Sequence, residues 1–143
     1  MSDLTEAVDQ ATQPAQPLSP QARELLAGPN FAVVATTNAD GSLQQSVVWV
    51  RERDGEVLFS TVQGRAKYRN VTRNPNVSVL VIDRTDGYRY SAIRGVARFE
   101  DARADELIAE LSQNYTGEQW VERQSRPRVV GVISPTRVTD YEE

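Results

Sequence analysis

The chain's one lysine, Lys67, lies in its densest run of positive charge, Gly64-Arg65-Ala66-Lys67-Tyr68-Arg69-Asn70, with Arg73 just beyond. Every other basic side chain is arginine, so a mobile ammonium at this one place calls for a chemical reason. A planar guanidinium beside a compact ammonium is a pairing that grips a phosphate or another small anion. The apolar run Val57-Leu58-Phe59-Ser60-Thr61-Val62 just upstream predicts a strand, and Gly64 then opens a predicted helix. The amides at that helix's start would add to an anion site. On charge alone, a solvated basic helix face reads equally well. Both Arg65 and Lys67 are expected at the surface.

The rest of the composition narrows the chemistry. The absence of cysteine and histidine excludes disulfides, thiol catalysis, zinc ribbons and every Ser-His-Asp scheme, and no metal site is expected. Any reaction must draw on carboxylates, tyrosines, arginines or a borrowed cofactor. The net charge of −4 argues against nucleic acid, whose binders carry broad basic surfaces. One basic knot in an acidic chain suits a small anionic ligand better. No apolar run approaches the ~20 residues of a membrane-spanning helix. The N-terminus has neither the basic start nor the apolar stretch of a secretory signal, so no membrane partner and a cytoplasmic location are expected.

At 143 residues the chain is large enough for one domain with a real core. Residues 1–18, rich in Gln, Ala, Thr and Pro, read as a disordered tail, and 19–143 as the folded domain. Ser19-Pro20 and Gly28-Pro29 bracket a predicted helix over 20–27. Strands are predicted over 31–37, 43–53, 57–62, 77–82, 88–99 and 129–133, with turns at Asn38–Gly41, Asp54-Gly55 and Asp83–Gly87. Pro135 interrupts the last strand and 138–141 extends the same edge, while Gly95 marks a bend or bulge. Helices are predicted over 65–73 and, from Ala104, Leu107, Ile108 and Leu111, over 102–114; residues 115–125 read as loop or short helix. This is a mainly β chain, a six-stranded antiparallel barrel with a few flanking helices. A small barrel is filled by its own side chains, which puts a ligand outside it, at a shallow cleft or a subunit contact.

The order of the hairpin Ala35–Gln44, the strand Phe59-Ser60-Thr61, the Arg65–Asn70 block and Asn74-Pro75-Asn76-Val77-Ser78-Val79 resembles the split β-barrel, FMN-binding-like flavin and deazaflavin reductases. These belong to the superfamily of pyridoxamine phosphate oxidase-like proteins. The likeness is strongest to the actinobacterial, F420-dependent branch, class B of the flavin/deazaflavin oxidoreductases, and covers residues 21–140. The resemblance implies that Arg65 and Lys67 hold the phosphate of the cofactor tail. It implies that Ser60 and Thr61 lie beside the cofactor, and that the second strand, with Gln44, Ser46 and Val48, passes along the tricyclic ring. Tyr88 and Tyr90 would come from the partner subunit of a homodimer with two interface sites. Relatives often have tryptophan at the position of Tyr88. Arg69, with Arg126 and Arg128, would meet the polyglutamate tail of coenzyme F420.

The function so implied is an F420H2-dependent reductase. It would pass hydride to a small, conjugated, electron-poor acceptor of quinone, enone or tetrapyrrole type. The alternative within the superfamily is an FMN-binding oxidase or flavin reductase; from another class comes a non-catalytic cofactor carrier. No catalytic residue is assigned. Taken as residues alone, Ser60 and Thr61 are ordinary strand positions. Tyr88 and Tyr90 fit packing on one strand face, and Trp49 fits barrel packing. Trp120 reads as a lid or a helix anchor, and Arg123, Arg126 and Arg128 as surface charges.

Overall fold

The computed structural model describes residues 16–143. Ser19 caps the first helix, α1 (Pro20–Ala27), its Oγ accepting the Ala22 N–H at 3.0 Å, and α1 buries Ala22, Leu25 and Leu26. There follow β1 (Phe31–Thr37), β2 (Leu43–Val48), β3 (Val50–Arg53), β4 (Glu56–Val62), α2 (Ala66–Arg73), β5 (Asn76–Ile82), β6 (Tyr90–Glu100), α3 (Ala104–Thr116) and β7 (Arg128–Tyr141). The strands form one antiparallel sheet in the order β2-β1-β5-β6-β7-β4-β3.

That order dictates the shape. β2 and β3 occupy opposite edges of the sheet, yet only Trp49 separates them in the chain. The sheet must therefore curl until its edges meet, giving a split barrel. The expected single strand over 43–53 is thus two, and the sheet has seven strands where six were predicted. The cause is Trp49, which leaves the ladder to stack on Tyr115, ring centroids 5.4 Å apart. Tyr115 Oη accepts the Val50 N–H at 3.1 Å and donates to the Asn30 carbonyl at 2.9 Å, so the broken ladder keeps a partner.

The barrel interior is filled by Val34, Val50, Val57, Phe59, Val79, Val81, Ile93 and Ile133. On the opposite face of β4 and β7, Leu58, Val130 and Val132 meet Ala104, Leu107 and Leu111 of α3. The strict alternation of β4 between these two layers decides which of its side chains can reach a ligand.

β7 runs unbroken through Pro135 and lies inside the sheet, between β6 and β4, where an interrupted edge was expected. A register shift between Arg94 and Gly95 lies opposite Pro135, so the proline sits beside an irregularity. A Cβ on Gly95 would stand 2.5 Å from the Ser134 carbonyl oxygen, so only glycine fits. Gln16 seals the spot, its N–H donating to the Pro135 carbonyl at 2.8 Å and its Oε1 accepting the Val138 N–H at 3.2 Å. Leu18 is buried, so the expected tail must stop before it; residues 1–15 lie outside the described part of the chain. Tyr88, expected in a strand, sits in the turn before β6. No helix among the described residues is long and apolar enough to cross a membrane.

Candidate cofactor site

The site is built where β4 hands over to α2. Gly64, at φ +90°, turns the chain, and Arg65 stands at the N-cap with no side-chain cap of its own. The first amides of α2 are therefore free to meet an anion. What fixes α2 is Asn70, whose Nδ2 donates to Thr36 Oγ1 at 3.0 Å and to Asn38 Oδ1 at 2.8 Å. Arg73 donates to Asn70 Oδ1 at 2.7 Å, and Thr36 Oγ1 in turn donates to Gln44 Oε1 at 3.3 Å. Tyr68 packs on Phe99, ring centroids 4.7 Å apart. A buried, satisfied polar network of this kind holds the helix at one angle.

Lys67, Arg65, Ser60 and Arg128 converge on a cleft of about 230 Å³. Its apolar walls come from Val47 and Val48 of β2, Trp49, Ile108 and Leu111 of α3, and Trp120. The expectation that Arg65 and Lys67 are both at the surface holds for Arg65 only. Lys67 is 8% exposed as a residue. Burial first, and then the Arg65 charge, push its pKa below the usual 10.5. Among the described residues no carboxylate lies within ion-pair distance of it. Its nitrogen is not among the fully buried unpartnered atoms, so the stem is covered while the ammonium stays open to the cleft, with no anion from the described residues beside it.

Arg128 is held quite differently. Its side chain is 8% exposed, with Nε and Nη2 donating to the two carboxylate oxygens of Glu122 at 2.7 and 3.0 Å. Nη1 reaches Ser60 Oγ at 3.2 Å, and the guanidinium lies 5.0 Å over the Trp120 ring. Trp120 meets Trp49 edge to face at 6.0 Å. The hydrogen bond from Arg128 is the main reason that Glu122 titrates down at about 2.

Of the residues singled out from the sequence, Val48, Ser60, Arg65 and Lys67 share this cleft. Thr61 lies on the other face of β4, with Val57 and Phe59, its buried Oγ1 without a partner. Gln44 belongs to the network that anchors α2, and Ser46 Oγ is buried on the same strand without a partner. Arg69 donates to the Gly64 carbonyl. Tyr90 stacks on Tyr141 at 4.6 Å, and the neighbouring Tyr88 is 69% exposed; neither lines the cleft within one chain. Sequence reasoning put Arg128 at the cofactor's polyglutamate tail or on the surface rather than in this cleft, and weighed Trp49 as packing. The missing signal is strand pairing, since Arg128 reaches the cleft only because β7 aligns it opposite Val62.

Residues 18–142 match the family model described as pyridoxamine 5′-phosphate oxidase. Among solved structures, the chain is similar to a protein named F420 reductase, at 28% identity and a TM-score of 0.73, over 82% of this chain and 94% of that one. It also resembles the conserved hypothetical protein Rv2991 from Mycobacterium tuberculosis (20% identity, TM-score 0.73, 91% and 88% covered). A third likeness is to General Stress Protein 26 from Bacillus anthracis (20% identity, TM-score 0.65, 85% and 91% covered).

Proposed function

Because the chain belongs to the pyridoxamine 5′-phosphate oxidase family, we propose that it is an oxidoreductase whose cleft takes a phosphate-bearing flavin-type cofactor, coenzyme F420 in the first place. The observation that carries this reading is Lys67, its stem buried beside Arg65 and with no carboxylate partner among the described residues. The cofactor's phosphate would accept from the Lys67 ammonium, the Arg65 guanidinium and the first amides of α2. Trp49, Val47 and Val48 would hold a planar ring against the sheet and keep water from one side of it. The bound cofactor supplies hydride chemistry, and the protein supplies orientation and electrostatics. No histidine or cysteine is needed, in keeping with their absence. The likeness to the protein named F420 reductase favours the deazaflavin over FMN. The acceptor in this reading is a small, conjugated, electron-poor molecule.

A second copy of the chain belongs to this reading. Val47, Val33, Leu80 and Ala92 stand in register across β2, β1, β5 and β6 on the face turned away from the core. Leu43 and Val47 are each 69% exposed on that face. Val47 also lines the cleft, so a partner docked on this stripe would border the site. Val47→Lys should turn a dimer into monomers in sedimentation; a monomeric parent would remove the partner from the proposal.

Parallel titrations with F420 and FMN, followed by tryptophan fluorescence, test the whole reading. Saturable micromolar binding of F420 with FMN much weaker is the expected result. Preference for FMN moves the chain to flavin chemistry, and binding of neither overturns the cofactor assignment.

A further inference from the structure

Three cations, Arg65, Lys67 and Arg128, line one cleft, and among the described residues only Arg128 has a carboxylate partner. That partner is set with unusual care for a loop residue. Besides the two Arg128 bonds, Glu122 Oε1 accepts the Trp120 Nε1–H at 3.4 Å, and Oε2 accepts the amides of Arg123 and Gln124, both at 3.1 Å. Five donors thus fix one carboxylate on the far side of a guanidinium whose remaining edge, at Ser60, looks into the cleft. A pair formed merely for solubility would not need Arg128 to be nearly buried or the loop amides to turn inward. We infer that Glu122 is a specificity residue, neutralising Arg128 so that the cleft offers two free positive charges, matched to a ligand with one phosphate, and disfavours diphosphates.

The inference rests on the cofactor-phosphate reading of the cleft and adds a rule about charge. Arg65 and Lys67 suffice for a single phosphate group. An unpaired Arg128 would extend the positive field along the wall shared by Ser60 and Trp120, where a second phosphate could settle. Removing the Glu122 charge should therefore favour the more highly charged anion. A carboxylate that only pins the loop would, once removed, weaken all ligands alike.

The test is calorimetric titration of the full chain with inorganic phosphate and with pyrophosphate, at pH 8 and low salt. Parent, Glu122→Gln, Glu122→Gln/Arg128→Gln and Lys67→Met are compared. E122Q is expected to bind pyrophosphate about tenfold tighter than the parent, with a smaller gain for phosphate, both gains shrinking at high salt. The double variant, with the parent's net charge, should return to within about twofold of the parent. Equal loss for both anions in E122Q, or no gain for pyrophosphate, overturns the inference, whatever the parent binds. If E122Q melts early, the double variant still decides: a double variant that binds far below the parent gives the pair a structural role. Phosphate binding that Lys67→Met leaves untouched would instead sink the cofactor-phosphate reading beneath it.

Discussion

Arg89 and Lys67 are both withdrawn from water, and the chain surrounds them in opposite ways. The Arg89 side chain is 18% exposed and meets three carboxylates, Asp83 and Glu24 at 3.1 Å and Glu142 at 3.4 Å. These three come from the turn after β5, from α1 and from the C-terminal end, so the guanidinium ties separate stretches of chain together. Among the described residues Lys67 meets none. A cation whose partners are built in serves the fold. One buried without a partner costs the fold stability and is explained by a ligand that brings the charge. The two sites differ in chemistry as well: a guanidinium fork can serve three carboxylates at once, whereas an ammonium is a point charge suited to one compact anion.

Lys67→Met carries the largest expected effect. Replacing this ammonium, whose desolvation lowers its pKa and which has no carboxylate among the described residues, by an apolar chain of similar length should stabilise the free protein by about 1 kcal/mol. The same change should weaken cofactor binding roughly 100-fold, through loss of about 2–3 kcal/mol of charge-assisted contact. Thermal melts and cofactor titrations read the two effects separately, and a variant that loses stability while binding normally would make Lys67 structural. The pH dependence follows with its sign. The folded-state pKa of Lys67 lies below 10.5, so the parent carries the full cost of the charge at neutral pH. That cost fades as pH rises from the folded value to 10.5, and the stability advantage of Lys67→Met fades with it. Cofactor affinity in the parent should fall over the same alkaline range, as the ammonium loses its proton.

The contrast between these two cations was only half legible in the sequence. The Arg65–Lys67 pair stood out because two cation types at close spacing follow a strand and open a helix, all of which is local. The strands themselves could be read from β-rich runs between Asp-Gly and Asn-Pro turns, and α1 from its Ser-Pro start. What could not be read depends on contacts made across the chain. Lys67 shares its cleft with Ile108 and Leu111 of α3, some forty residues on. Trp49 breaks its strand because Tyr115, across 65 residues, supplies a partner for the Val50 amide. Arg128 reaches the cleft through the pairing of β7 with β4, and no periodicity announces which strands will pair. Likewise nothing local to Arg89 announces that the fold brings three carboxylates to it.

Arg89→Gln tests the paired cation, with a smaller expected effect. Neutralising the guanidinium leaves Asp83, Glu24 and Glu142 close together with no cation between them, so the free protein should melt a few degrees lower. Cofactor affinity should stay within about twofold of the parent, because Arg89 does not line the cleft. Acid should erase the difference. Asp83 is held below its usual 3.8, chiefly by the backbone and hydroxyl of Thr85 and then by Arg89. A depressed carboxyl pKa stabilises the fold above 3.8, and that contribution drains away as pH falls through the folded value. Parent and Arg89→Gln melting temperatures should thus converge as pH falls through the folded value of Asp83 and its carboxylate becomes neutral. A gap that persists below the folded pKa of Asp83 would mean that Arg89 acts through packing of its stem, and the contrast with Lys67 would then rest on burial alone.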